Sequence, residues 1–221
     1  MKDPYILENG TLKNKLNITD EKELKKAEKD IGYVKLMSIG ELSEEKCDAQ
    51  ILNKIHKHIF EDIYDWAGEY RTVPMIRIEE IIPMVSLEYT KPKDIEKELK
   101  VKFDKINKEK WDGKTQDEKI KTLTKHVSSI WKTHPFRDGN TRTTLAFTQI
   151  LAKKQGIDLD LGKILNDLGR KYDENGKVKR WNVRDRFVLA ALDENNYPEP
   201  KWLEDLLKSA VIQEEKDDLE R

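Results

Sequence analysis

Between Ile120 and Gly156 the residue pattern leaves little choice but two helices joined by a tight loop. Ile120, Leu123, Val127 and Ile130 recur at steps of three and four, which places them on one helical face, and His134 is the next position on that stripe. Pro135 disfavours helix at the residue before it, and Asp138-Gly139 completes a turn. Asn140 is the expected N-cap of a second helix, built on Leu145, Phe147, Ile150 and Leu151 and stopped by Gly156.

That arrangement has a chemical use. The first amides of a helix lack intrahelical partners and carry the positive end of its dipole, so an anion fits there. Gly139 leaves the backbone open to a ligand, Asn140 can donate an amide hydrogen bond, and Arg142 adds a permanent cation with several donors. Such groups suit phosphate. Asp138 is then placed to hold Mg²⁺, which takes one or two protein carboxylates plus ligand oxygens, and His134 to act as general base. Each residue alone has an ordinary structural explanation, as core histidine, turn or cap. Their order within nine residues is what argues for chemistry.

The run His134-Pro135-Phe136-Arg137-Asp138-Gly139-Asn140-Thr141-Arg142 resembles the signature of the Fic family, H-P-F-x-D/E-G-N-G-R. The stretch from Ile55 to Gly68, followed by Tyr70-Arg71-Thr72-Val73, is similar to a second recurring segment of that family. Tyr5, the run Leu12 to Leu16 and the segment from Asp20 to Glu28 resemble the lead-in of many bacterial Fic cores. The resemblance implies a mainly α fold, a Fic-type helical core with a short β-hairpin flap beside the active-site loop. It also implies a nucleotidyltransferase that moves AMP from ATP to a Ser, Thr or Tyr hydroxyl of a target protein. On that reading His134 takes the hydroxyl proton, Asp138 binds Mg²⁺, and Phe136 anchors the loop. Gly139, Asn140 and Thr141 lie along the nucleotide phosphates, and Arg142 neutralises the leaving pyrophosphate.

Two positions depart from the family pattern. Thr141 stands where a second glycine is usual, and Leu145 where many members have a second arginine. In regulated members that arginine pairs with a glutamate from an S/T-x-x-x-E-G/N motif. Ser38 to Glu41 has its glutamate one residue early, and Ser209 to Glu214 one late, so the expectation is a chain without the usual glutamate brake. Two other readings stand beside AMP transfer. One is a Doc-like phosphotransferase, disfavoured by Gly139. The other is a weakly catalytic nucleotide-binding toxin or regulator, which Thr141 and Leu145 favour.

Composition narrows the partners. The 42 basic and 43 acidic side chains nearly cancel, so no global field draws the chain to nucleic acid or a membrane. A single cysteine, Cys47, excludes an intrachain disulfide and suits the cytoplasm, with secretion as an effector left open. The expected partners are ATP and a hydroxyl-bearing protein docked along the flap, about Thr72 to Tyr89. Self-modification follows as a variant, because Thr72, Ser86, Tyr89 and Thr90 are close by, and a separate inhibitor protein is left open.

The 221 residues divide into a helical lead-in (1–42), the Fic domain (43–213) and a charged, frayed tail (214–221). Helices are expected over Thr19–Met37, Ser43–Trp66, Lys93–Ile106, Gln116–Thr133, Arg180–Leu192 and Lys201–Gln213, besides the one from Asn140. Strands are expected between Arg71 and Tyr89, and a loop over Asp173–Lys179. His56 and His58, two apart on one helix, point in different directions and read as surface or capping residues.

Overall fold

A computed structural model describes residues 3–78, 81, 86–165, 169–193 and 196–212. Helix α1 (Glu21–Met37) begins at Asp20, whose carboxylate accepts from the amides of Lys22 and Glu23. Helix α2 (Ala49–Phe60) is shorter at both ends than its apolar spacing suggests. Asp48 caps its start, and at its end the amides of Ile63 and Tyr64 both turn back to the Phe60 carbonyl. Ile63 and Trp66 are buried all the same, so the apolar spacing outlasts the helix.

Strands β1 (Ile76–Ile78) and β2 (Ser86–Glu88) pair antiparallel, Ile76 opposite Glu88 and Ile78 opposite Ser86. This is the expected hairpin. Pro83 lies outside the described residues. Helices α3 (Ile95–Lys108) and α4 (Gln116–Thr133) follow, the latter started by a capping box in which Thr115 and Glu118 exchange hydrogen bonds. Then come α5 (Asn140–Lys154) and the short α6 (Leu161–Leu165). The segment expected as a loop is instead the turn of a small hairpin, β3 (Lys171–Tyr172) with β4 (Val178–Arg180). The Asp173 carboxylate accepts the amides of Asn175 and Lys177, which closes that turn and lets the flanking residues pair. Helices α7 (Val183–Ala190) and α8 (Lys201–Ser209) complete the fold. The expected frayed tail lies outside the described residues.

Helices α4 and α5 form the centre, with α2 and α3 on one side and α7 and α8 on the other. Their shared core includes Ile55, Ile59, Val127, Ile130, Phe147 and Phe187. The architecture is the expected mainly α one, a helical core with a short hairpin, β1 with β2, beside the α4–α5 loop. Among the described residues no helix is long and apolar enough to cross a membrane.

Candidate active site

His134 ends α4 in the left-handed region, at φ 50° and ψ 58°. That conformation costs a residue with a side chain roughly 1–2 kcal/mol and needs support from its surroundings. Arg71 supplies it, since its Nε donates to the His134 carbonyl at 2.8 Å and its amide to the Pro135 carbonyl at 2.8 Å. The same buried guanidinium reaches the carbonyls of Val73 and Thr90, on either side of the first hairpin. Burial lowers its pKa to about 10, so it stays charged at neutral pH. The His134 ring lies flat on Tyr89, with centroids 3.9 Å apart, and edge-on to Trp131 at 5.3 Å.

The loop that follows is clamped from within. Asn140 is the first residue of α5 and Gly139 is the cap, one position earlier than the sequence suggests. The physical reason is that the Asn140 side chain has other work. It accepts from the Phe136 amide at 2.9 Å and donates to the Phe136 carbonyl at 2.8 Å, closing the loop on itself. Phe136 is fully buried and stacks on His56 at 4.0 Å. His56 is therefore no surface residue. Its Nδ1 accepts from the Gly68 amide at 2.9 Å, which leaves the proton on Nε2 to donate to the Asp138 carbonyl at 3.2 Å. Burial lowers its pKa to about 3 and keeps it neutral. His58 does cap, with Nε2 3.0 Å from the Lys35 carbonyl at the end of α1.

Gly139 has φ +76°, and a Cβ there would run into the Phe60 ring. The missing side chain thus admits Phe60 rather than a ligand. The Asp138 carboxylate accepts from the Gly139 amide and stands 3.7 Å from Arg142, with 39% of its side chain exposed. The amides of Asn140, Thr141 and Arg142 belong to the first turn of α5 and have no carbonyl behind them within the helix. Thr141 accepts the Trp131 indole N–H on its hydroxyl oxygen at 3.0 Å, which fixes the side chain that replaces glycine. Leu145 is 1% exposed and belongs to the core.

His134, Asp138, Gly139, Asn140, Thr141 and Arg142 all line one cavity of about 350 Å³. Lys25 and Glu28 from α1, Arg137 and Arg184 complete its wall. Four cations and two carboxylates around so small a space favour a multiply charged anion carrying a cation. Lys25 and Glu28 lie in the segment that resembles the lead-in, but nothing local to them or to Arg184 shows that they reach the loop, since they do so only through tertiary packing. Arg71 was visible as part of a recurring segment, but nothing local shows that it holds the His134 carbonyl.

Residues 46–152 match the family model described as Fic/DOC family. That stretch is a Fic/DOC-family domain. The chain is 27% identical over 174 residues to protein adenylyltransferase VbhT of Bartonella schoenbuchensis, covering 73% of this chain. The chain spans only 33% of that relative's length. It is 28% identical over 158 residues to probable protein adenylyltransferase y4lH of Sinorhizobium fredii, covering 69% of this chain and 76% of the relative. Among solved structures it is similar to the BepC protein of Bartonella tribocorum with bound AMPPNP, at TM-score 0.71 and 20% identity, with 95% of this chain and 97% of that one covered. It is also similar to the N-terminal Fic domain of a putative cell filamentation protein of Bartonella quintana with bound ADP, at TM-score 0.73 and 21% identity, covering 96% and 95%. At that identity these structures establish the shared fold.

Proposed function

We propose that this Fic domain is a protein adenylyltransferase that moves AMP from ATP to a hydroxyl side chain of a target protein. The observation that carries the reading is the single cavity shared by His134, Asp138, Arg142 and the open amides of α5. Its support beyond geometry is the likeness to relatives named protein adenylyltransferases.

The chemistry is an in-line attack on the α-phosphorus, which needs positioning and charge stabilisation more than covalent help. His134 accepts the proton of the incoming Ser, Thr or Tyr hydroxyl as the new P–O bond forms. The bond to the pyrophosphate oxygen breaks, and Arg142 stabilises the charge left on it. The unpaired first-turn amides of Asn140, Thr141 and Arg142 serve the phosphate oxygens, while the Gly139 amide is held by Asp138. The Asn140 side chain acts indirectly, by holding the loop through Phe136.

Asp138 suits Mg²⁺, because it is the more exposed of the two carboxylates on the cavity, and the ion prefers hard oxygens and takes few of them from protein. When bound, the ion would neutralise phosphate charge there. The target segment aligns by strand pairing along the flap from about Thr72 to Tyr89. Tyr89 is itself buried under His134, whereas Thr72 is exposed and Thr90 partly so, which makes these two better placed than Tyr89 for self-modification.

The test is the intact mass of the purified chain, with and without cell lysate, after incubation with ATP and Mg²⁺, beside His134→Ala. The expected result is a gain of one AMP on the chain or on a lysate protein, falling by roughly 10²–10⁴-fold in the variant. A gain of one phosphate instead would establish the Doc-like reaction. Nucleotide binding without any transfer would leave the regulator, the reading that Thr141 and Leu145 favour.

A further inference from the structure

Arg142 is set in place by groups that the signature does not contain. One face of its guanidinium rests on Phe60, 4.5 Å from the ring centroid. Its polar contacts are all long: 3.4 Å to the Glu28 carbonyl, 3.5 Å to the Glu28 carboxylate and 3.7 Å to Asp138. Charge-assisted hydrogen bonds usually close to about 2.7–2.9 Å. The cation is thus aimed without being consumed, which is what an anion ligand in waiting requires.

Glu28 is the fixed point of this arrangement. It sits on α1, before the residues that match the family model, and 9% of its side chain is exposed. Its Oε1 accepts from the Tyr64 hydroxyl at 2.5 Å, so the carboxylate is anchored from the turn that follows α2. The other oxygen, Oε2, faces Arg142. An anchored carboxylate cannot follow the guanidinium into the cavity; it can only set the direction in which the guanidinium points.

We propose that Glu28, anchored by Tyr64, is a positioning residue that orients Arg142 toward the terminal phosphates of the nucleotide. The proposal rests on the adenylyltransferase reading for its main readout. A carboxylate in this place has two other possible effects, and each leaves a different trace. A competitor for the phosphate subsite would slow the reaction, so removing it would speed transfer. A purely structural ion pair would affect stability without regard to what Arg142 does. A positioning residue has no effect once Arg142 is gone.

The experiment compares the wild-type chain with Glu28→Gln, Tyr64→Phe and Arg142→Ala, and combines each of the first two with the third. AMP transfer is followed by intact mass across ATP concentrations, ATP affinity by calorimetry, and folding by thermal melting. Glu28→Gln is expected to lower kcat about tenfold with a smaller change in KM, since displacement of a transition-state group by about 1 Å costs up to ~10²-fold. Tyr64→Phe should lower kcat less. In the Arg142→Ala background neither should lower it further. Faster transfer by Glu28→Gln, or equal losses with and without Arg142, would overturn the proposal. If Glu28→Gln does not fold, Tyr64→Phe carries the same comparison. If the wild type transfers no AMP, the function reading falls by itself. The affinity arm then decides, because Arg142→Ala must weaken ATP binding less when Glu28 is already replaced.

Discussion

His56 shows how much a single side chain can decide without touching a ligand. Its ring holds the Gly68 amide, the Asp138 carbonyl and the face of Phe136, and the first of these contacts requires the neutral form, because Nδ1 must accept. An unfolded chain would protonate this histidine near its ordinary value of 6.5, whereas the folded one resists down to about 3. The folded pKa is the lower one, so the stabilisation is whole above about 6.5 and is lost as pH falls through that window. Each pH unit inside it costs about 1.4 kcal/mol. Melting temperatures taken from pH 7 to pH 4 should therefore fall more steeply for the wild type than for His56→Asn; parallel curves would show that His56 is not the group responsible. The sequence displays this residue plainly and misleads about it. Two histidines two apart look like surface residues on a helix, and only the stacking of Phe136 onto α2 makes one of them a strut. The signature residues were legible because their chemistry is local: a helix end, a turn, a glycine, a cation. Glu28 and Arg71 were not, because each acts on the loop from far away in the chain.

At the scale of elements, the helices were readable wherever a cap coincided with apolar periodicity. Gln116–Thr133 has both, and its bounds match the spacing. Helix α2 has periodicity running past its last hydrogen-bonded turn into Trp66, which packs on Tyr64 at 4.3 Å, and spacing alone overruns its end. The hairpin of β3 and β4 was hidden for the opposite reason, since strands of two and three residues are too short for a period of two to stand out. The short 3-10 turn Ile39–Leu42 is one of the two places where the sequence comes near the glutamate-brake motif. It carries Glu41, which is exposed, while the partner arginine that a brake would need is replaced by buried Leu145. Glu41→Gln should leave the rate of AMP transfer within about twofold of wild type, as surface changes away from special contacts usually do. Activation of tenfold or more in the mass assay would reinstate a brake.

For the whole molecule, the division into a lead-in of residues 1–42 and a core of 43–213 is a proposal about packing. Leu24 and Leu36 of α1 are buried, and α1 packs against α2 and α6. A chain beginning at Ser43 would uncover that apolar face and lose Glu28 with it. It is expected to melt well below the full chain or to aggregate, since losing several buried side chains at about 1.5–3 kcal/mol each approaches the whole stability of a domain. Calorimetry on the shortened chain reads this directly, and an unchanged melting temperature would make the lead-in a separate unit. Arg71 works at the same scale from the opposite side. One buried guanidinium bonds the carbonyls of Val73 and Thr90, which flank the hairpin, and the carbonyl of His134. The hairpin cannot slide against the signature loop without stripping a desolvated cation of its acceptors. If the hairpin edge registers a target backbone and His134 takes its proton, as proposed, edge and ring are graduations on one rigid ruler, and a substrate offset by a single residue would be rejected by length before its affinity matters.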